Sequence, residues 1–316
     1  MTAVRGLTVA IPTYKRPEAL ARALAGVGRE VSALPAPLKE VTEVLVIDND
    51  PRCSAGAVVR EAGAGDLSGV RLRPVHEPAP GVAAVRNRAL AEAGPDGLLV
   101  FIDDDEEPEA GWLGLLLQTR ERFGAQAVAG LVVPDYEAEP DAWVRAGGFF
   151  DRQTWPTGTR RDVAATNNLL LDLAFVRAQG LGFDEAFGAT GGEDTLFTRR
   201  LVAAGGVIVW CAEARVRDHV PVERLDHGWI LRRQRSHAAT AVRVDLALAG
   251  AGHHLGRRAR ALGGGAARVA LGLARQGAGL VSGSMTHRAR GARLVARGRG
   301  MAAAAVGQGV HDEYGR

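Results

Sequence analysis

LLVFIDDDEEPEAGWL, residues 98–113, decides how the chain is read. Its first five residues are all apolar, too short a run for a core helix and suited to a strand buried on both faces. The run passes without a break into Asp103, Asp104 and Asp105. Gly111 then precedes a stretch whose apolar spacing predicts a helix over 112–123. A strand buried on both faces needs helices on both sides of its sheet.

Outward from this segment the same alternation repeats. Strands are expected over 7–11, 43–48, 70–75, 97–103 and 127–133. Helices are expected over 17–26, from Ser54 as N-cap through 61, and over 80–93. The fold class is therefore α/β, a mostly parallel central sheet flanked by helices. Such sheets bind ligands at the carboxyl ends of their strands, where Asp48 and Asp103–Asp105 fall. Residues 134–161 are rich in Trp, Gly, Pro and Asp and read as loop. Order returns over 166–172, in a helix over 193–204, in strands over 207–211 and 214–217, and in a helix over 225–249. Beyond residue 250 the composition shifts to Gly, Ala and Arg. This places a boundary between a domain over 1–250 and a basic, helical extension over 251–316.

Composition excludes several classes. At 316 residues, 47% hydrophobic and 24% charged, the chain is an ordinary folded protein rather than a disordered one. Cys53 and Cys211 are too few and too far apart for a disulfide scaffold or a metal-ligand motif, which points to a reducing, cytoplasmic setting. No run of 18 apolar residues encodes a membrane span, and no secretory leader opens the sequence. Neither G-x-G-x-x-G nor G-x-x-x-x-G-K-[ST] occurs in a strand-to-helix context, which disfavours a nicotinamide dehydrogenase or a P-loop NTPase. The net charge of +3 argues against nucleic acid as a partner, yet it hides a segregation. Residues 246–311 hold ten arginines and no Asp, Glu or Lys, leaving −7 for the rest. Within them Leu262, Val269, Leu273 and Leu280, spaced 7, 4 and 7 apart, line one helical face. A basic amphipathic helix on an anionic inner-membrane surface fits this pattern. A polar, partly disordered tail competes with it, because glycine weakens helices.

Four segments carry chemistry. The carboxylates of Asp103–Asp105 repel one another unless a cation neutralises them, and a hard divalent ion does so. A solvated acidic turn is the plainer alternative. In GATGGEDTLFTRRL, residues 188–201, Glu193 and Asp194 open a helix, as capping acids or as a general base. RDHVPVERL, residues 217–225, puts His219 just after a strand. IPTYKRPE at 11–18 and VIDNDP at 46–51 follow strands and read alone as ordinary turns.

Taken together, IPTYKRPEAL, VIDNDP, EPAPGVAAVRNRAL, FIDDDEEPEAGWL, ATNNLLL, FDEAFGATGGEDTLFTRRL and VRDHVP resemble family 2 glycosyltransferases of the GT-A fold, in order and spacing, over roughly residues 5–250. GGFFDRQTWPTGTR with ATNN resembles the bacterial exopolysaccharide subgroup, similar to succinoglycan-type glucosyltransferases. The resemblance implies an inverting, metal-dependent transfer of a single sugar. The donor is a nucleotide-sugar, first of all a UDP-sugar, and the acceptor a saccharide or lipid-linked saccharide. It implies Asp194 as catalytic base with Glu193 in support. Donor contacts fall to Pro12, Thr13, Arg16, Asp48, Arg86, Asp103 and Asp104. Asn167 and Asn168 fall where sugar and acceptor meet, and Asp105 and His219 hold Mg²⁺ or Mn²⁺. Gln234 and Arg235 in LRRQRSHA lack the following Trp of processive synthases, so a single addition is expected. Work in the cytoplasm or on the cytoplasmic membrane face follows. A sugar nucleotidyltransferase and a non-catalytic nucleotide-sugar-binding module are the alternatives. The former normally carries a Gly-rich signature after the first strand, and IPTYKRPE has no glycine.

Overall fold

Alternate side chains of each central strand enter two different cores, one on each face of a single sheet. The structure, a computed structural model, describes residues 5–308 apart from 66, 68 and 95; the last eight residues of the extension lie outside the described residues. The first half of the chain runs β1 (Leu7–Thr13), α1 (Pro17–Ser32), α2 (Ala36–Glu40), β2 (Thr42–Asp48), α3 (Gly56–Ala64), β3 (Arg71–His76), α4 (Val82–Glu92) and β4 (Leu98–Ile102). Then come β5 (Glu106–Pro108), α5 (Trp112–Phe123), β6 (Ala127–Tyr136), α6 (Ala142–Gly147), β7 (Arg160–Arg161), β8 (Asn168–Asp172), α7 (Leu173–Ala178), α8 (Glu193–Ala203) and β9 (Ile208–Val220). Three helices close the chain: α9 (His227–Ala247), α10 (His254–Val281) and α11 (Met285–Ala305).

The strand order is β3-β2-β1-β4-β8-β6-β9-β5, with β7 paired to β9. From β3 to β4 all pairs are parallel. Beyond β4 the sheet is mixed: β8 runs antiparallel to both β4 and β6, β6 and β9 are parallel, and β5 is antiparallel to β9. In β4, Leu98, Val100 and Ile102 pack in the core shared with α1 and α5. Leu99 and Phe101 pack in the core shared with α4, α7 and α8.

Local signals account for most element ends, and distant partners for the rest. The apolar positions Leu20, Ala23, Leu24, Val27 and Val31 carry α1 on to Ser32, six residues past the expected end. Ser54 does not cap α3; Ala55 precedes that helix, and Asp48 accepts the Ala55 N–H at 2.8 Å instead. The expected loop over 134–161 contains the end of β6 and the short helix α6, capped by Asp141, whose side chain accepts from Val144 N. The N-terminus of α5 is capped from a distance. Gly111 has no side chain to offer, and the buried Glu30 of α1 accepts from the N–H groups of Gly111 and Leu113 at 3.0 and 3.1 Å.

The two strands expected over 207–217 are one strand with a bulge. Gly130 pairs with Cys211 while Leu131 pairs with Arg215, so β9 carries extra residues opposite β6. Asn168 repairs the interruption. Its Nδ2 donates to Ala214 O at 3.0 Å and to Leu131 O at 3.2 Å, and its Oδ1 accepts from Trp112 Nε1 at 2.8 Å. The amide lies where a Cβ on residue 130 would be, so only glycine fits there.

The extension is helical, and its glycines are the packing face. Gly265, Gly272 and Gly279 of α10 are buried. A Cβ on each would lie 2.8 Å from Gly298 O, 2.7 Å from Gly291 O and 2.8 Å from Arg288 N of α11. Each helical glycine costs about 1 kcal/mol against alanine; here backbone-to-backbone packing offsets it. The hairpin packs on α9 through Ala239, Val242, Leu246, Ala261, Ala304 and Ala305. Of the leucine stripe, only Val269 is half-buried; Leu262, Leu273 and Leu280 are exposed. Among the described residues no helix is long and apolar enough to cross a membrane.

Replacing Asn168 by Ala would orphan two carbonyls and the Trp112 indole N–H, at about 1–3 kcal/mol for each uncompensated buried group. We expect Asn168→Ala to lower the urea midpoint by an amount equivalent to about 3 kcal/mol. An unchanged midpoint would show that the bulge holds without this amide.

Candidate active site

A cavity of about 630 Å³ opens at the carboxyl ends of β1, β2 and β4. Its wall combines the end of β1 (Pro12–Arg16), the N-terminus of α4 with Arg86, and the acids Asp103–Glu106 after β4. The far side holds Asn167, Asp218 and Arg224, with Trp229, Arg232, Arg233 and Ser236 of α9. Lys15 sits here with φ 55°, a left-handed conformation unusual for a non-glycine residue and typical of a functional loop.

Eight of the thirteen residues expected from the sequence are in this wall: Pro12, Thr13, Arg16, Arg86, Asp103, Asp104, Asp105 and Asn167. Asp104 is buried and tied to β1, accepting from Thr13 Oγ1 at 2.7 Å and from Arg16 Nη1 at 3.1 Å. Asp105 is shared by two guanidiniums, Arg16 at 3.1 Å and Arg224 at 3.0 Å. Asp218 pairs with Arg152 at 3.2 Å. Arg86 is buried between Glu193, to which it is hydrogen-bonded, and Asp103 at 3.7 Å. Asn167 donates to Glu106 Oε1 at 2.7 Å, and Asp103 N donates to the other oxygen at 3.1 Å.

Five expected residues lie outside the wall. Asp48 is buried, with its two oxygens accepting from Asp50 N and Ala55 N; it shapes the turn after β2, and its neighbour Asn49 faces the cavity. Asn168 points into the core, as described above. Strand alternation separates Asp218 from His219. Asp218 faces the large cavity, while His219 lines a second one of about 220 Å³ with Asp105, Glu107 and Asp135. Glu193 is buried on Arg86. Asp194 is half-buried in the first turn of α8, accepting from the amide and hydroxyl of Thr195. The loop before α8 packs against the cavity wall without lining it: Val82, a wall residue, donates its N–H to Gly188 O at 3.2 Å.

The sequence reading missed Glu106, Asp218 and Arg224, and the α9 residues Trp229, Arg232, Arg233 and Ser236. Period-two alternation around His219 was the available signal for Asp218. For α9 there was none, because its approach to β1 and β4 is a long-range event. Its Trp229 face suits a sugar ring, and its guanidiniums suit phosphate or carboxylate.

Burial and mutual repulsion shape the acids' chemistry. Burial raises Asp103 to about 7 against the lowering by Arg86, with Asp105, Asp104 and Asp218 adding repulsion. Burial likewise raises Asp104, Glu106 and Asp218. It also pushes Glu193 up to about 7, opposed by Arg86 and reinforced by Asp194. Carboxylate oxygens are the donors that Mg²⁺ and Mn²⁺ prefer, so this set fits a hard divalent cation. Among the described residues no three His, Cys, Asp or Glu side chains form a ready cage. Such an ion takes the rest of its shell from water and a phosphate-bearing substrate.

A family model for glycosyl transferase family 2 matches residues 8–176, more than half of the chain. The chain belongs to glycosyl transferase family 2. This glycosyltransferase is 34% identical over 229 residues to the succinoglycan biosynthesis protein ExoM of Rhizobium meliloti (strain 1021), covering 72% of this chain and 71% of that protein. Among solved structures it resembles the mannosyltransferase PcManGT from Pyrobaculum calidifontis, in complex with GDP-Man and Mn²⁺. There the TM-score is 0.62 at 18% identity, over 94% of this chain and 86% of that one. S. aureus TarS 1-349 in complex with UDP gives a TM-score of 0.53 at 14% identity, over 92% and 90%. At these identities the likeness is one of fold. The family match sets aside the nucleotidyltransferase alternative.

The raised acids make stability depend on pH. With pKa values above those of the unfolded chain, the folded protein keeps protons that the unfolded chain has released, so stability falls as pH rises from about 4 towards about 7. We expect a lower Tm at about pH 7.5 than at about pH 5.5. Mg²⁺ or Mn²⁺ should restore more of it at the higher pH, where the carboxylates are ionised. A cation effect equal at both values would count against binding at this acid cluster.

Proposed function

We propose that this glycosyltransferase moves one sugar from a nucleotide-sugar, first of all a UDP-sugar, to a hydroxyl of a saccharide or lipid-linked saccharide. The transfer is inverting and depends on a divalent cation. The setting is bacterial exopolysaccharide assembly in the cytoplasm or at its membrane face. Residues 1–250 form the transferase domain and residues 251–316 its extension. One observation carries the reading: an acid cluster at the end of β4, opposed by Arg86, in a cavity large enough for a nucleotide-sugar. The relative's role in succinoglycan biosynthesis supports the setting, and the neighbours with UDP, or with GDP-Man and Mn²⁺, support the donor class.

In this mechanism the β1 turn and Asn49 hold the nucleotide, and Arg86 faces the leaving diphosphate. Asp103 and Asp105, with Asp218 in place of His219, are the residues that would hold Mg²⁺ or Mn²⁺. Bound there, the ion supplies positive charge against the charge that builds on the diphosphate. Asp194 accepts the acceptor hydroxyl proton as that oxygen forms its bond to the anomeric carbon and the bond to the diphosphate breaks. Direct displacement inverts the anomeric configuration. Asp194 is favoured over Glu193 because Glu193 is committed to Arg86, whereas the Asp194 carboxylate accepts, among the described residues, from its neighbour Thr195 alone. Trp229 offers the acceptor a stacking face.

Two measurements test this. Asp194→Asn should bind UDP as the wild type does but transfer about 10²–10⁴-fold more slowly; wild-type rates would remove Asp194 from the role. In a thermal-shift panel of nucleotide-sugars with and without Mn²⁺ or Mg²⁺, one donor class should raise Tm only with the cation. Absence of any donor response would overturn the proposed reaction.

A further inference from the structure

The outward face of α10 is apolar for its whole length. Seventeen of its residues are exposed, and fifteen of them are Leu, Val, Ala or Gly. The two others are Arg260 and Arg268. Leu255 is 82% exposed, Leu273 56%, Leu280 69% and Val281 92%, and Leu271 is exposed between them. A helix lying against solvent normally carries polar residues on its outer side, and a contiguous apolar face marks an interaction surface. At 1.5 Å per residue this face runs about 40 Å. The inner face gives no alternative use for these leucines, because α10 packs on α11 through glycine.

Charge selects the partner. Residues 246–308 contain no Asp, Glu or Lys. Arg260 and Arg268 lie on the apolar face, and Arg288, Arg290 and Arg299 are exposed on α11. The acid nearest in sequence, Asp245, is engaged by Arg257. A second copy of the hairpin would bring arginine against arginine. An anionic lipid surface offers apolar depth to the leucines and negative charge to the guanidiniums at once. No described helix can cross a bilayer, so the contact is one of a helix lying in the interface.

We propose that the outward face of α10, from Leu255 to Val281, docks the protein on an anionic membrane surface. The hairpin is fastened to α9 through Ala239, Val242 and Leu246, and the other end of α9 supplies Trp229, Arg232 and Arg233 to the cavity wall. Docking therefore holds the cavity at a set distance from lipid. This proposal rests on the hairpin alone and stands apart from the assignment of donor and acceptor.

Flotation of the full chain with vesicles of phosphatidylglycerol and phosphatidylcholine, or of phosphatidylcholine alone, tests it. The wild type should float with the anionic vesicles and about tenfold less with the neutral ones. Leu273→Glu with Leu280→Glu changes two exposed side chains, so folding should persist by circular dichroism while anionic-vesicle binding falls at least about tenfold. Arg260→Gln with Arg268→Gln should lower binding to anionic vesicles and leave neutral-vesicle binding unchanged. Equal flotation of the leucine variant and the wild type would overturn the proposal. So would a wild-type dimer in light scattering that the leucine variant dissociates, which would assign the face to a second copy.

Discussion

Crowded carboxylates at the end of β4 are the constraint around which the rest of the site is arranged. Two unit charges 4 Å apart interact by about 4 kcal/mol near a protein surface. Asp103, Asp104, Asp105 and Glu106 are consecutive, and β9 brings Asp218 opposite Glu106. The strand β4 that leads into Asp103–Asp105 is held by five fully or nearly fully buried apolar side chains, worth about 1.5–3 kcal/mol each. Guanidiniums from four separate parts of the chain then answer the charge: Arg16 after β1, Arg86 on α4, Arg152 in the loop after α6, and Arg224 before α9. Each of these pairs ties a different segment to the carboxyl edge of the sheet, so electrostatic neutralisation and cavity formation are the same event.

The bulge in β9 serves that arrangement. A strand continuing in register would set its far end differently against the acid loop. The extra residues opposite Gly130–Leu131 reset the pairing, so that Asp218 lies opposite Glu106 on β5. Asn168 absorbs the cost by satisfying the carbonyls that the bulge leaves over, and it anchors Trp112 of α5 with the same amide. Glu30 does comparable work at the N-terminus of α5. The polar groups nearest the site are thus divided between those that build the support and those that face the cavity.

The extension follows another logic. Its glycines, which on propensity alone argue for a loose tail, recur seven residues apart at 265, 272 and 279 and again at 291 and 298. That spacing keeps them on one face, where absence of a side chain lets two backbones meet. With the inside packed by glycine, the leucines are left outside. Hydrophobic periodicity identified the helix and its apolar stripe; that the glycines form the opposite, packed face was not legible from propensity.

The amino-acid sequence by itself determined the alternation of strands and helices, the acids at strand ends, the opening of α8 at Glu193, and the family. These are local: five apolar residues make a buried strand, and a Gly-Gly pair before two acids makes a helix start. It also placed Pro12, Thr13, Arg16, Arg86, Asp103–Asp105 and Asn167 at the cavity. Tertiary structure alone decided which of two adjacent residues faces the cavity. It chose Asn167 over Asn168 and Asp218 over His219, and set Asp48 behind Asn49. It alone brought α9 across the sheet edge and turned the hairpin's leucines outward. Neighbouring side chains on a strand point to opposite sides, so their roles depend on what the rest of the chain packs against each side, and a linear sequence does not contain that choice.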